Sequence, residues 1–238
     1  HIIPILLAAN FSVIIYDLPA HGLSSGTRAS ISSFGEYQAV LEHLIGYFKS
    51  HLPQPWLAIG QSTGGAILMD YVLSKHAQHQ VSIFERLFLL APLVYPAKMQ
   101  WLQMKLAFWW FKSVRTGLPR IFRQNTSDTN FIRFMREEDP LQAHWIPVAW
   151  LLSLKEWIEY IHDLPACNMP VWVVQGGQDK TVNGDYNLGF IGTKFKVQRT
   201  LWLAEASHQL VNESEYFRKA IVACLQDFLL FDDKNAKK

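Results

Sequence analysis

Cysteine is scarce in this chain: Cys167 and Cys224 are the only two among 238 residues. Both sit in apolar surroundings without metal-ligand spacing. That excludes a disulfide framework or a cysteine-built zinc site, and two buried free thiols are expected. Free thiols favour a reducing compartment, which points to the cytoplasm. No run reaches the roughly 20 consecutive apolar residues that a membrane-spanning helix requires. Neither sign of charge dominates: 22 Lys and Arg stand against 20 Asp and Glu, a net charge of +2, so the chain as a whole has no nucleic-acid footprint. Internal repeats and low-complexity segments are missing as well. So is an initiator Met: the chain opens on His1 within a helix-like stretch and reads as a fragment or a processed product.

Half the residues are hydrophobic and the charged fraction is modest, as in a globular α/β protein with one sizeable core and an insertion. Strand-like and helix-like segments alternate, the pattern of a parallel sheet covered by helices. Ser12–Tyr16, Trp56–Ile59, Leu87–Leu90, Val171–Val174 and Thr200–Leu203 read as buried strands. Phe34 to Ser50 has helical spacing, with Tyr37, Val40, Leu41, Leu44, Ile45 and Phe48 on one face, and Phe217 to Phe231 reads as a closing helix. Between the third and fourth of these strands the alternation breaks into helical, tryptophan-rich text from about Tyr95 to His162. An insertion of that length between sheet strands is expected to be a cap or lid. The expected division is a core at 1–94 and 166–231, a cap at 95–165 and a disordered tail at 232–238.

Gly60-Gln61-Ser62-Thr63-Gly64 follows the strand at Trp56 and opens a helical segment through Leu73. A Gly-x-Ser-x-Gly at a strand-to-helix turn is a nucleophile elbow, whose glycines allow the sharp turn and close packing that expose the serine oxygen. A serine hydroxyl is a weak nucleophile until a base takes its proton, and the base needs a carboxylate to orient it. Asp179, in Gln175-Gly176-Gly177-Gln178-Asp179, directly follows the strand ending at Val174. His208, in Ala204-Glu205-Ala206-Ser207-His208, directly follows the strand ending at Leu203. Ser62, Asp179 and His208 thus lie on loops at the carboxyl ends of three strands, where open α/β sheets place their sites.

Blander roles compete. Asp179 could close a Gly-Gly turn, and His208 could mark a helix entry. Asp163 and Asp185 are rival acids, but neither directly follows a strand. His43, His51, His76 and His79 fall on or near helices and read as solvated, His144 and His162 as cap surface, and His21 as a turn residue.

Asp17-Leu18-Pro19-Ala20-His21-Gly22-Leu23-Ser24-Ser25-Gly26, the elbow, Gln175–Asp179, Ser207–Glu213 and Asp139-Pro140-Leu141 together resemble the monoacylglycerol lipase and lysophospholipase branch of the α/β-hydrolase superfamily. The chain departs from that branch at Gln61 and Thr63, where members often carry His and Met, and at Ala20, where they carry Gly. The resemblance implies an α/β-hydrolase fold: a mostly parallel sheet flanked by helices, with a helical cap. It also implies a Ser62–His208–Asp179 triad, an oxyanion donor in the Thr63 N–H, and no cofactor or metal. The second oxyanion donor, and a strand between those at Val13 and Leu57, would precede His1. The N-terminal strands therefore read as missing, and a chain beginning at His1 is expected to be poorly soluble and nearly inactive.

From Tyr95 to Arg136 the cap carries Lys98, Lys105, Lys112, Arg115, Arg120, Arg123, Arg133 and Arg136 against Asp128 alone, threaded through Trp101, Phe108, Trp109, Trp110, Phe111, Phe122 and Phe131. A basic, aromatic surface suits an anionic membrane interface or a phosphorylated lipid. The expected activity is hydrolysis of a lipid monoester, either a lysophospholipid or a monoacylglycerol, with peripheral contact to anionic membrane and no nucleic-acid partner. The alternatives are a peptidase of the proline-iminopeptidase kind and a hydrolase-fold binding protein. The peptidase would need an acidic cap cluster to hold a free amino terminus. Dehalogenase chemistry is disfavoured because it uses an aspartate nucleophile.

Overall fold

The computed structural model describes residues 1–97, 117–120 and 124–231. Helix α1 (Ile2–Ala8) is followed by irregular chain to α2 (Gly35–Phe48). Then come β1 (Trp56–Gln61), α3 (Thr63–Ala77) and β2 (Phe84–Leu90). The insertion contributes β3 (Gly117–Pro119), α4 (Thr129–Arg133) running into a π-helical turn at Phe134–Glu138, β4 (Trp145–Pro147) and α5 (Val148–Asp163). The chain closes with β5 (Pro170–Gly176), α6 (Gly184–Lys194), β6 (Lys196–Leu203), a 3-10 turn at Leu210–Asn212 and α7 (Glu215–Leu230). The main sheet has the order β1-β2-β5-β6, with every pair parallel.

The apolar runs of β2 and β5 are buried on both sides because helices cover both faces of the sheet. Alternate residues divide between two cores. Leu87, Leu89, Val171 and Val173 join α2, α3 and α5 on one face. Phe88, Leu90, Trp172 and Val174 meet α7 on the other. On α7 the stripe Phe217, Ile221, Cys224, Leu225 and Phe228 recurs at helical spacing, and Phe228 packs edge-on against Trp172. Each such aliphatic or aromatic side chain contributes about 1.5–3 kcal/mol on burial. Helix α5 belongs to the first core: Trp157 stacks on Phe34, ring centroids 4.8 Å apart. Its indole N–H donates to Asp70 at 3.0 Å. Asp70, in turn, accepts from Ser74 Oγ at 2.8 Å, and burial pushes its carboxyl above the ordinary carboxylate range.

Several expectations are corrected. Ser12–Tyr16 forms no strand; residues 11–18 are irregular. A strand exists through the hydrogen bonds a neighbour supplies, and among the described residues the one ladder partner of β1 is β2. The insertion is not wholly helical, since β3 and β4 pair antiparallel and carry Trp145 in a short ribbon. Both thiols are free, but Cys167 is only half-buried whereas Cys224 is buried; burial raises the pKa of each. Lys98, Lys105, Lys112, Arg115, Arg123, Trp101, Phe108, Trp109, Trp110, Phe111, Phe122 and the tail at 232–238 lie outside the described residues.

Candidate active site

At the end of β1 the backbone turns through Ser62, whose φ of 53° lies in the left-handed region that a residue with a side chain rarely occupies. Main-chain bonds hold that conformation. Ser62 N donates to the Leu90 carbonyl at 2.9 Å, and the Ser62 carbonyl accepts from Leu93 N at 3.0 Å and Ala66 N at 3.1 Å. Gly60 permits the return of the helix, because a Cβ there would stand 2.7 Å from the Gly64 carbonyl. Gly64 itself has open space where a Cβ would go, so the last glycine of the pentapeptide is not explained by close packing. Thr63 opens a 15-residue helix, and its N–H is among the first amides that no helical carbonyl satisfies.

The loops after β5 and β6 meet beside the elbow. Gly176 makes this approach feasible, since a Cβ there would collide with the carbonyls of Ala206 and Ser207. His208 Nε2 lies 3.0 Å from Ser62 Oγ, and its Nδ1 lies 2.7 Å from Asp179 Oδ2. The side chains of His208 and Asp179 are only 5% and 1% exposed. Asp179 Oδ1 accepts from the Thr181 and Val182 amides at 2.7 and 3.1 Å, and Oδ2 also accepts from Gln175 Nε2 at 3.2 Å. A carboxylate held by three donors besides His208 fixes the imidazole edge facing it, leaving Nε2 aimed at the serine.

The structure therefore brings Ser62, His208 and Asp179 together. The rival acids stand apart from this group: Asp185 lies in the first turn of α6, and Asp163 ends α5. His162 meets the Tyr186 hydroxyl at 2.8 Å and packs edge-on against Phe190. His21 bonds the Pro19 carbonyl within its turn. Among the described residues no group of His, Cys, Asp or Glu is arranged to hold a metal ion.

Several residues around the site were not assigned roles by sequence reasoning. Gln175, fully buried, braces Asp179. Gln61 donates from Nε2 to Gln209 Oε1 at 2.9 Å and accepts from Val211 N at 3.1 Å. Glu213 is 0% exposed. It accepts from Ser207 N at 2.7 Å, from Ser127 N at 2.8 Å and from Ser127 Oγ. The available signal for Glu213 was its place in Ser207–Glu213, one of the stretches that carry the family resemblance.

A family model described as serine aminopeptidase, S33, matches residues 1–215. The chain belongs to that family. Among solved structures, this S33-family chain is similar to a monoacylglycerol lipase of Paleococcus ferrophilus, with a TM-score of 0.76 and 19% identity over 94% of this chain and 85% of that one. It is also similar to a soluble variant of monoglyceride lipase from Saccharomyces cerevisiae in complex with a substrate analog (TM-score 0.69, 16% identity, 90% of this chain and 75% of that one). At these identities the likeness shows the α/β-hydrolase fold. No curated protein sequence matches the chain.

Proposed function

We propose that this α/β hydrolase is a serine esterase that cleaves a lipid monoester, a monoacylglycerol or a lysophospholipid. The observation that carries the reading is the continuous hydrogen-bonded line from Ser62 Oγ through His208 to Asp179. Ser62 Oγ attacks the acyl carbonyl as His208 Nε2 takes its proton. The Thr63 amide, at a helix N-terminus, faces the charge developing on the oxygen. His208 then returns the proton to the leaving alcohol, and water activated by the same imidazole releases the acid from the acyl-enzyme. Asp179 holds the tautomer and stabilises the imidazolium without changing its own protonation. Support for a lipid comes from the basic, aromatic text of the cap and from the fold shared with monoacylglycerol lipases.

The test combines labelling with substrate comparison in the full-length protein. A fluorophosphonate should modify Ser62, and Ser62→Ala should abolish labelling and lower kcat by about 10⁴-fold or more. The kcat/KM for a long-chain monoacylglycerol or lysophospholipid should exceed that for an aminoacyl amide. Labelling that survives in Ser62→Ala would remove the nucleophile. Preference for the amide would keep the triad and replace the esterase with the aminopeptidase activity that the family's description names.

A further inference from the structure

The two residues that must meet for proton transfer, Ser62 and His208, are carried on chain segments far apart in sequence, and the loop bearing His208 has no regular structure between Leu203 and Leu210. What sets the distance between them? The histidine loop is tied to several parts of the molecule. Gln178 N donates to the Ala206 carbonyl at 2.9 Å, Ser207 N to Glu213, and Gln209 N to the Asn125 carbonyl at 2.7 Å. These bonds refer the loop to the acid turn, to the start of α7 and to the returning cap segment. None of them refers it to the nucleophile.

Gln61 does. It is the last residue of β1, adjacent to Ser62, and its side-chain amide spans the gap to the histidine loop with both of its polar atoms. The Val211 N–H can only donate, so the atom facing it at 3.1 Å is the Gln61 carbonyl oxygen. The Gln61 amino group is then committed to Gln209 Oε1 at 2.9 Å. One planar side chain thus grips the loop on the residue after His208 and again two residues further on.

We propose that Gln61 is a positioning residue: its amide clasps the histidine loop through Gln209 and Val211 and so holds His208 Nε2 at reaction distance from Ser62. The inference rests on the reading of Ser62 and His208 as nucleophile and base. Gln61 touches neither substrate nor the reacting atoms. Its effect runs through the Ser62–His208 separation, and so it falls on the chemical step and not on substrate binding.

The experiment compares Gln61→Met, Gln61→Glu, Gln209→Met and the double variant Gln61→Met/Gln209→Met in the full-length protein. The readouts are kcat and KM on a p-nitrophenyl ester, the rate of fluorophosphonate labelling, and the melting temperature. Methionine keeps the volume and deletes both hydrogen bonds. It should lower kcat about 10- to 100-fold, the scale expected when reacting groups are misplaced by about an ångström. KM should hold within about twofold on the same grounds, and labelling should slow by the same factor as kcat. Glutamate keeps the acceptor for Val211 N, and Gln209 can turn its amide to donate to the new carboxylate, so Gln61→Glu should recover most of the loss. Gln209→Met removes one of the two grips and should fall between the parent and Gln61→Met. The double variant should be no slower than Gln61→Met alone, since both changes delete the same bond.

A parent-like kcat in Gln61→Met, or equal losses in Gln61→Met and Gln61→Glu, overturns the clasp. If Gln61→Met fails to fold, the other two single variants still decide, because parent-like turnover in Gln209→Met together with a large loss in Gln61→Glu also overturns it. A Ser62→Ala control separates this failure from that of the catalytic reading. An inactive Ser62→Ala beside a fully active Gln61→Met removes only the clasp, whereas an active Ser62→Ala removes the triad itself.

Discussion

Four donors around one carboxylate determine what an amide would do in its place. In Asp179→Asn the side-chain oxygen must face the Thr181 and Val182 amides, because two N–H groups cannot point at an NH₂. The new amino group then faces His208 Nδ1 and Gln175. Gln175 can meet it by turning its unpartnered Oε1 inward, at the cost of the Nε2 bond to the Gly176 carbonyl at 3.1 Å. His208 cannot remain as it is: an Nδ1 that accepts a hydrogen bond moves the imidazole proton to Nε2, which then donates toward Ser62 instead of accepting from it. Asp179→Asn should therefore stay folded, with a loss of about 0.5–1.5 kcal/mol for the one hydrogen bond given up, and lose about 10⁴-fold in kcat, the size of the wrong-tautomer loss in a Ser-His-Asp protease. Steady-state kinetics and thermal unfolding on one preparation check both halves. A crippled Asp185→Asn beside a healthy Asp179→Asn would assign the acid elsewhere.

Helices α3 and α5 are joined through a second, unrelated carboxylate. Asp70 on α3, the helix that follows the elbow, takes hydrogen bonds from Trp157 on α5 and from Ser74, and Ser74 Oγ also meets the Tyr160 hydroxyl at 2.9 Å. Because burial raises the Asp70 pKa in the folded state, the folded protein holds a proton there that the unfolded chain has already released. Stability should therefore fall as pH rises from the ordinary carboxylate range through the raised value. Asp70→Asn keeps both contacts, its oxygen accepting from Trp157 and its NH₂ donating to Ser74, and should abolish that part of the pH dependence and stabilise the protein at pH 7. Thermal unfolding from pH 4 to 8 measures it. A parallel pair of curves would show that folding does not raise the Asp70 pKa.

Elements with their own period were the legible ones. Alternate residues of Phe84–Leu90 and Pro170–Gly176 divide between two helical layers, and the stripe on Glu215–Leu230 meets one of them, so pattern alone located them. Ser12–Tyr16 has the composition of a strand, but composition cannot supply the neighbour that completes its ladder. The three-residue ribbon of β3 and β4 and the π-helical turn before Asp139 are too short to impose a period. At the candidate site, Ser62, Asp179 and His208 could be singled out because each lies on the turn or loop that follows a strand. Gln61 and Gln175 were not, because a glutamine signals nothing until its partner's position is known.

Considered whole, the molecule has a small net charge, yet residues 95–136 carry eight Lys and Arg against Asp128 alone. Among the described residues no helix is long and apolar enough to cross a membrane. Any contact with a bilayer made by the cap cations would be electrostatic and peripheral, worth about 1 kcal/mol for each cation near an anionic surface and screened within a Debye length of about 8–10 Å at ordinary salt. The full-length protein is expected to co-sediment with phosphatidylserine vesicles at low salt and release at high salt. Reversing Lys105, Lys112 and Arg115 to Glu should weaken that binding at least about tenfold while sparing hydrolysis of a small soluble ester. Binding that ignores salt, or survives the triple reversal, would disconnect the cap from the membrane.

Glu213 bears on how relatives of this chain can be recombined. Its carboxylate receives Ser207 from the histidine loop and Ser127 from the insertion between β2 and β5, and beside it Thr126 Oγ1 donates to the Asn212 carbonyl at 2.7 Å. Asn125 to Ser127 are therefore mechanically part of the catalytic loop, although they lie within the insertion. A substitute insertion that rejoins the host chain before Asn125 leaves those bonds in place. One that rejoins at Thr129 replaces the hydrogen-bond donors to a fully enclosed carboxyl group, at about 1–3 kcal/mol for an acceptor left unsatisfied, and loosens His208 with it. The seam for exchanging the residues ahead of Asn125 in this scaffold lies at Gln124, on the near side of those bonds.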